Sequence, residues 1–302
     1  MGTARQALLR FRARGLANLE ATLFLLPAYG LFLLFMALPV LEAAWLSLHQ
    51  ENLFGRGRIW AGLENYREAL LRPEFAKSFW ITVKFALITA PLELVLGLLA
   101  ALLVYRPYPG VALFRTIFFL TTAVPTAVAA VAWGWFLHPV GGWANRFLAS
   151  LGIPAQPWLT STDLALPTLA VITAWAGVGF TAVLLTAGLQ AIPEEVLEAA
   201  EVDGATPWTR FWRVILPLLS PTLFLVTILV VLRSLTAFGQ IHLLTRGGPA
   251  ESSMVWIYRV YQDAFFNFRV PLAAAEALLL LLLLMLLAGL QFWLLGRRVH
   301  YA

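Results

Sequence analysis

Six long apolar runs dominate this sequence and limit what it can fold into. A helix that crosses about 30 Å of hydrocarbon needs about 20 mostly apolar residues. Runs of at least that length lie near residues 21–46, 78–104, 114–138, 166–189, 218–243 and 271–295. We therefore predict an all-α, polytopic membrane protein whose six transmembrane helices form one domain over residues 21–295.

The composition excludes a water-soluble globular protein. Of the 302 residues, 61% are hydrophobic and only 12% are charged, which is too little polar surface to cover a soluble domain. We interpret the net charge of +5 as interfacial arginine rather than as a nucleic-acid-binding surface. The sequence contains no cysteine, which excludes disulfides and thiolate metal sites. No cleavable signal peptide is expected, because the first apolar run is long enough to stay in the bilayer.

The arginines that precede the first apolar run predict the orientation. Lysine and arginine outside the predicted spans divide almost evenly between the two faces, and four of these arginines stand among residues 1–20. Charges beside the first span usually dominate orientation. Because six crossings return the chain to its starting side, we predict a cytoplasmic N-terminal segment (1–20) and a cytoplasmic tail (296–302) in the inner (plasma) membrane of a prokaryote.

The most charged stretch, residues 190–217, then lies in a cytoplasmic loop between the fourth and fifth spans. Pro193 can occupy the first position of a short helix, which would place Glu194 and Glu195 at the positive end of the helix dipole. Gly204 can end this helix in the left-handed conformation.

A second helix is expected directly after the first. Thr206 and Pro207 suit the cap and the first residue of that helix, and Pro217 and Pro221 are expected to mark re-entry into the membrane. Its apolar residues recur at three- and four-residue spacing, which predicts a face that packs on the ends of other helices. These residues are Trp208, Phe211, Trp212 and Ile215.

The first helix of the loop has two possible surroundings. Helices that lie on the lipid surface usually carry Lys and Arg on their polar face, whereas this helix is acidic. Its small residues, Ala199 and Ala200, allow a partner to approach closely, and Glu198 and Glu201 offer charge to a partner's arginine. We therefore favour a protein partner, with an ordinary lipid-surface loop as the alternative.

The segment EAAEVDGATPWTRFWRVILP resembles the cytoplasmic signature of ABC importer permeases. In that signature, three residues separate EAA from Gly, and nine further residues separate Gly from Ile-x-Leu-Pro. The matching residues are Glu198, Ala199, Ala200, Gly204, Leu216 and Pro217. Val214 stands where Ile is usual, and Gly239 stands where the carbohydrate branch often has an acidic residue. The stretch LQAIPEEVLEAA is typical of that carbohydrate branch. The stretches AVPTAVAAVAWGWFLHP and QFWLLGRRVHYA resemble the first permease subunit of glycerol-3-phosphate and related sugar importers.

This resemblance implies a type I ABC importer permease that translocates a sugar, polyol or glycerol phosphate. The loop would dock on a cytoplasmic ATPase, and the residues implied in that coupling are Glu198, Ala199, Ala200, Asp203, Gly204 and Pro217. The expected partners are a second homologous permease, two copies of the ATPase, an extracytoplasmic binding protein and membrane lipids. ATP and Mg²⁺ would be bound by the ATPase, because this sequence lacks the Gly-x-x-x-x-Gly-Lys-Ser/Thr loop that cradles phosphates.

A membrane-embedded enzyme or scaffold is the alternative class, and an importer of an unrelated small solute is the alternative within the family. The four histidines lie in separate segments without ligand spacing, so we expect no metal site. No arrangement of side chains typical of a catalytic site is evident, and no catalytic residue is predicted.

Charged residues inside the predicted spans are candidates for the translocation pathway, because such residues usually face a cavity or a partner. At 1.5 Å per residue, Arg233, Glu276 and Lys84 lie about 8–9 Å below the outer boundary of the core, whereas Glu93 lies about 22 Å down. We predict an Arg233–Glu276 ion pair with Lys84 nearby. This depth in the membrane, which we call the positive level, would then carry a net positive charge and would suit an anionic polyol. The alternative is that Lys84 and Arg233 only extend to the outer interface.

Overall fold

The computed structural model describes residues 22–51 and 57–295, and about three quarters of these residues are helical. The predicted N-terminal segment 1–20 and tail 296–302 lie outside the described residues. The helices are α1 (Thr22–Ser47), α2 (Glu64–Leu71), α3 (Pro73–Val104), α4 (Val111–Ala123), α5 (Thr126–Phe136), α6 (Trp143–Ser150), α7 (Ala165–Gln190), α8 (Glu194–Val202), α9 (Pro207–Leu235), α10 (Gly239–Leu244), α11 (Trp256–Phe265) and α12 (Val270–Leu295). Two short strands, β1 (His49–Glu51) and β2 (Arg58–Trp60), form an antiparallel hairpin.

Most of the predicted spans coincide with long apolar helices. Helices α1, α7 and α12 match the predicted bounds within one residue. Helix α3 begins at Pro73 rather than near residue 78. Its first turns carry the charged side chains Glu74 and Lys77, so the apolar run begins later than the helix.

The prediction of one continuous third span near 114–138 is wrong. Helices α4 and α5 meet at a bend of 104°. Val124 and Pro125 between them have extended backbone angles, because the proline ring disfavours helical geometry in the residue before it. The hydropathy of the run is continuous across this break, so apolar length alone did not reveal it.

The expected separation between the second loop helix and the fifth span is corrected, because one helix covers both. The chain stays helical from Pro207 to Leu235, through a π-helical turn at Phe211–Ile215 and past Pro217 and Pro221. Prolines are tolerated in membrane helices where local π-helical turns re-satisfy the freed backbone groups. The second loop helix and the span are therefore one continuous element, α9.

Helix α7 lies at the centre of the bundle and packs against α3, α4 and α9. Small residues allow these close contacts. A Cβ atom at Gly97 of α3 would overlap the side chain of Thr181 on α7, and one at Gly188 of α7 would overlap Thr222 of α9. The N–H of Gly179 donates a hydrogen bond to Thr121 Oγ1 of α4 at 3.0 Å.

The bundle has two different ends. We call the end that carries α8 the coupling-loop end, and the end that carries the β1–β2 hairpin, α2 and α11 the hairpin end. At the hairpin end, α12 packs against α1, α2 and α11. At the coupling-loop end, Arg115 of α4 donates two hydrogen bonds to the carbonyl oxygen of Val104, at 3.0 and 2.8 Å, and so caps the last turn of α3.

Replacing Gly97 with valine should destabilise the bundle, because the new side chain would force α3 away from Thr181 of α7. Overpacking a core costs about 1–3 kcal/mol. Gly289→Val in α12 is the matched control, since a Cβ atom there meets no atom within 4 Å. We expect the melting temperature of the purified protein to fall for Gly97→Val and to stay near wild type for Gly289→Val. Equal melting temperatures would contradict a tight α3–α7 contact.

Candidate coupling and translocation sites

Helix α8 forms where the sequence predicts a short acidic helix. Glu194 and Glu195 occupy its first turn, where the helix dipole favours negative charge. The predicted position of Pro193 is corrected by one residue. Its backbone angles (φ −57°, ψ 135°) are not helical, so Pro193 caps the helix and Glu194 is the first helical residue.

The end of α8 depends on Gly204. This residue has φ +78°, a conformation that L-residues with a side chain rarely adopt. The N–H of Ala205 donates to the carbonyl of Ala200 at 2.9 Å, and the N–H of Gly204 donates to that of Glu201 at 3.0 Å. These two bonds are the Schellman arrangement that ends many helices. The prediction for Gly204 is therefore confirmed.

The first turn of α9 follows almost at once. Thr206 has extended backbone angles, and its Oγ1 accepts a hydrogen bond from the N–H of Thr209 at 3.3 Å. Pro207 is the first helical residue. The predicted cap is confirmed, and the turn between α8 and α9 is only a few residues long.

Helix α8 is held on one side and free on the other. Leu197 is buried in an apolar cluster with Leu189 of α7 and Ile215 of α9, and Glu201 forms an ion pair with Arg210 of α9. The other side of α8 is open, and Val202 is 87% exposed there. The open side also carries Val196, Glu198, Ala199 and Asp203. Such a helix can contact a partner and still move together with α9.

The aromatic face at the start of α9 only partly packs as predicted. Phe211 and Ile215 join the apolar cluster under α8. Trp208 is 72% exposed, and Trp212 is exposed beside it with the two rings edge to face at 5.6 Å. The predicted apolar face of α9 is therefore wider than the part of it that contacts the other helices. Amphipathic indole rings are stable at a membrane–water interface, so these two rings need no packing partner within the chain.

Glu93 and Arg233 form an ion pair inside the bundle. Glu93 of α3 is 1% exposed, and its Oε1 accepts a hydrogen bond from Thr181 Oγ1 of α7 at 2.9 Å. Arg233 Nη1 of α9 lies 3.4 Å from the same Oε1 atom, and the Arg233 side chain is 43% exposed. The guanidinium also lies over the ring of Phe180 of α7, 5.4 Å from its centroid. Arg233 is thus anchored by Glu93 and still accessible.

The predicted Arg233–Glu276 ion pair is wrong. Depths were counted along straight helices perpendicular to the membrane. Arg233 and Glu93 meet because α3 packs against α9 and because an arginine side chain is long. The sequence did identify Glu93 as an ionisable residue inside a span, but the depth argument assigned the wrong partner.

Glu276 belongs to a different cluster, at the hairpin end. Arg72 Nη1 lies 2.9 Å from Asp263 Oδ2 and 3.4 Å from Glu276 Oε1. Both carboxylates are fully buried. These three residues join the start of α3 to α11 and α12, so Glu276 holds the hairpin end together and does not face Arg233.

Lys84 is also separate from Arg233. It precedes Glu93 by nine residues, which is two and a half helical turns at 3.6 residues per turn. The two side chains therefore lie on opposite sides of α3. Glu93 is buried against α7 and α9, whereas Lys84 is exposed on the opposite side of α3. The predicted positive level of Lys84, Arg233 and Glu276 therefore does not exist, and of these three residues only Arg233 belongs to the central ion pair.

The segment between α10 and α11 is tied down by an ion-pair network that the sequence analysis did not identify. Glu251 Oε1 lies 2.8 Å from Arg259 Nη2, and Glu251 Oε2 lies 3.2 Å from Lys77 Nζ. Burial alone would raise the pKa of Glu251, but the hydrogen bonds and charges of Arg259 and Lys77 outweigh burial and lower this pKa. The ion pairs of Glu251 depend on Lys77 of α3 and Arg259 of α11. The position of Glu251 in the sequence therefore did not indicate them.

The geometry places a half-free helix at one end of α9 and an accessible arginine near the other, in a bundle of apolar helices. Residues 93–300 match the family described as "Binding-protein-dependent transport system inner membrane component". The chain belongs to this family. It is a permease subunit of an ABC importer, and the predicted family and fold class are confirmed.

Relatives of this permease support the assignment along most of its length. The sn-glycerol-3-phosphate transport system permease protein UgpA of Agrobacterium fabrum is 34% identical over 280 residues, 92% of this chain and 95% of that protein. The trehalose/maltose transport system permease protein MalF of Thermococcus litoralis is 37% identical over 231 residues, 76% of this chain and 78% of that protein.

A solved structure has the same fold. The crystal structure of a bacterial ABC transporter involved in the import of the acidic polysaccharide alginate contains a chain that superposes with a TM-score of 0.83. The match covers 95% of this permease and 99% of that chain, at 21% sequence identity. The similarity establishes the fold of the permease.

The central ion pair predicts an asymmetric effect of substitution. Arg233→Gln leaves Glu93 buried without its cation, so it should destabilise the protein more than Glu93→Gln does. The double variant removes both charges and should lose less than the sum of the single variants. We expect a coupling of about 0.5–1 kcal/mol, because the exposed part of Arg233 is screened by solvent.

Thermal unfolding of the purified protein measures this coupling. The exposed pair Glu64–Arg67 of α2, with an N–O distance of 3.8 Å, provides the matched double-variant cycle and should show almost no coupling. Strictly additive losses for Glu93 and Arg233 would mean that the ion pair does not contribute.

Proposed function

We propose that this permease is the first of two homologous permease subunits in an ATP-driven importer. The complete transporter would contain two copies of a cytoplasmic ATPase and an extracytoplasmic binding protein that delivers the solute. Binding and hydrolysis of Mg-ATP belong to the ATPase, because the permease sequence lacks a phosphate-cradling loop. The observation that carries the proposal is α8, a rigidly capped helix with one open side.

The open side of α8 is the surface that docks on the ATPase. Val202 supplies an apolar contact and Ala199 allows close approach, while Glu198 and Asp203 offer hydrogen-bond acceptors for a basic partner. The proposed coupling residues remain Glu198, Ala199, Ala200, Asp203, Gly204 and Pro217. Docking at α8 puts the coupling-loop end in the cytoplasm, and the hairpin end then faces the binding protein.

Movement of α8 can reach the membrane because α8 is fastened to α9. Leu197 and the Glu201–Arg210 ion pair hold the two helices together, and α9 continues without a break to Leu235. Pro217 lies within this continuous helix, so a displacement at α8 shifts the whole of α9.

The solute is a sugar, a polyol or a glycerol phosphate. The names of the relatives support this class, and so does the chemistry beside α9. The side chain of Arg233 is 43% exposed, and its guanidinium can donate hydrogen bonds to hydroxyl groups. Because Glu93 neutralises Arg233 and Lys84 lies elsewhere, this place carries no net positive charge. A neutral hydroxylated solute therefore fits better than an anion, and this reverses the preference expected from the sequence.

The coupling role is tested by substitutions at α8 in the reconstituted transporter. Glu198→Lys reverses the charge of the docking surface, and Gly204→Val strains the turn that ends α8. Both variants should lose most of the substrate-stimulated ATPase activity, by about tenfold or more if 1.4 kcal/mol of coupling is removed.

Two control variants separate coupling from general damage. Glu64→Lys makes the same charge change at the hairpin end. Gly152→Val creates the same backbone strain in a connecting segment, since Gly152 has φ +74° and open space around it. Both controls should keep substrate-stimulated activity. Normal coupling in Glu198→Lys and Gly204→Val would refute the proposed docking surface.

The solute is tested by transport into proteoliposomes with the binding protein present. Neutral disaccharides, polyols and glycerol 3-phosphate are compared for wild type and Arg233→Gln. We expect uptake of a neutral hydroxylated solute and a lower uptake rate in Arg233→Gln, because a hydrogen-bond donor to the solute is lost. Uptake restricted to glycerol 3-phosphate would contradict the charge argument, and an unchanged rate in Arg233→Gln would remove Arg233 from the pathway.

A further inference from the structure

A groove of about 930 Å³ lies on the outer side of α3 near the hairpin end. It runs between α3 and the segment that leads into α7. Its rim is polar and includes Thr162 and Asp163, whereas its floor is apolar and includes Leu87, Ile88 and Leu166. This change from a polar rim to an apolar floor matches the change from headgroup to acyl chain in a membrane lipid.

Lys84 of α3 faces this groove. Its side chain is exposed, and among the described residues it forms no ion pair or hydrogen bond. Its neighbour Lys77, in contrast, is paired with Glu251. A lysine within an apolar run is costly unless it meets an anion or reaches water. Lys84 is therefore a cation without a counter-ion, placed beside a groove that the rest of the chain leaves open.

Trp80 lies one turn from Lys84 on the same groove and is 60% exposed. Indole rings are enriched at the level of lipid headgroups, where the N–H can donate a hydrogen bond while the ring stays in an apolar layer. Lys84 and Trp80 together provide a cation and a donor at one level of the membrane.

The apolar surface continues along α3 below the groove. Leu99 follows Ile88 by about three helical turns and lies on the same side of α3. Together with Leu103 of α3 and Ile117 and Leu120 of α4 it lines a second groove of about 490 Å³. An acyl chain that begins at the first groove would therefore find apolar side chains along the rest of α3.

We propose that this groove binds a membrane phospholipid, with its phosphate at Lys84 and an acyl chain along Leu87 and Ile88. A soluble phosphate compound would leave the apolar floor uncovered. The carboxylate of Asp163 at the rim favours a headgroup with a hydroxyl or amine donor. This site lies on the opposite side of α3 from Glu93 and Arg233, so it is separate from the proposed solute pathway.

Native mass spectrometry of the assembled, detergent-washed transporter tests the site. Dioleoyl phosphatidylglycerol is the probe, and dioleoylglycerol, which lacks the phosphate, is the comparison. Wild type and Lys84→Arg should retain the phospholipid, and Lys84→Gln should retain about fivefold less, the effect of one basic residue at an anionic lipid surface. Arg67→Gln, which removes an exposed cation at the same end, is the control and should retain the wild-type amount. Equal retention in wild type and Lys84→Gln, or equal binding of dioleoylglycerol, would overturn the proposal.

Two further outcomes identify a different occupant. Displacement of the phospholipid by glycerol 3-phosphate at equal concentration would mean that the groove is a site for a soluble phosphate and would refute the lipid. Because the chain has no cysteine, Thr162→Cys in the lining of the groove provides a single reactive position in this chain and keeps Lys84. Labelling by a maleimide carried on a phospholipid supports the proposal, whereas a crosslink to the second permease subunit would show that the groove is a subunit interface and overturn it.

Discussion

Helices in a bilayer gain no hydrophobic free energy by leaving lipid for one another, so this bundle depends on close contacts made through small residues on α7 and its neighbours. Gly97 meets Thr181, and Gly188 meets Thr222. These contacts bring the backbones of α3, α7 and α9 close enough for dispersion forces and hydrogen bonds to hold them. The other features of the bundle, including its central ion pair, are positioned by this packing.

The same closeness accounts for the buried carboxylate. A Cβ atom at Gly177 of α7 would overlap the carboxylate of Glu93, so Glu93 fits between α3 and α7 only because residue 177 is glycine. An isolated carboxylate there would be costly, and Thr181 and Arg233 offset that cost with a hydrogen bond and a charge. One polar cluster therefore ties together three helices that are otherwise joined by apolar contacts.

The sequence could predict the structural features that depend only on residues close together in the chain. Apolar length located most of the membrane helices, and the turn at Gly204 and the cap at Thr206 followed from residues within a few positions of each other. The bend at Pro125 was missed because hydropathy is continuous across it. The partner of Arg233 was missed because it depends on how α3 packs against α9 and on side-chain length, and the spacing of residues shows neither property.

Lys84 and Arg233 both lie within apolar runs but differ in their surroundings, and those surroundings support the roles proposed for them. Arg233 has partners from α3 and α7 and lies near the end of α9 that is opposite α8. Since α9 is one helix about 40 Å long at 1.5 Å per residue, a shift of α8 would carry Arg233 with it, and the bundle at Glu93 would have to adjust. Lys84 has no such connection, because α3 and not α9 carries it. Coupling and solute contact can therefore share α9, while the far side of α3 remains free for lipid.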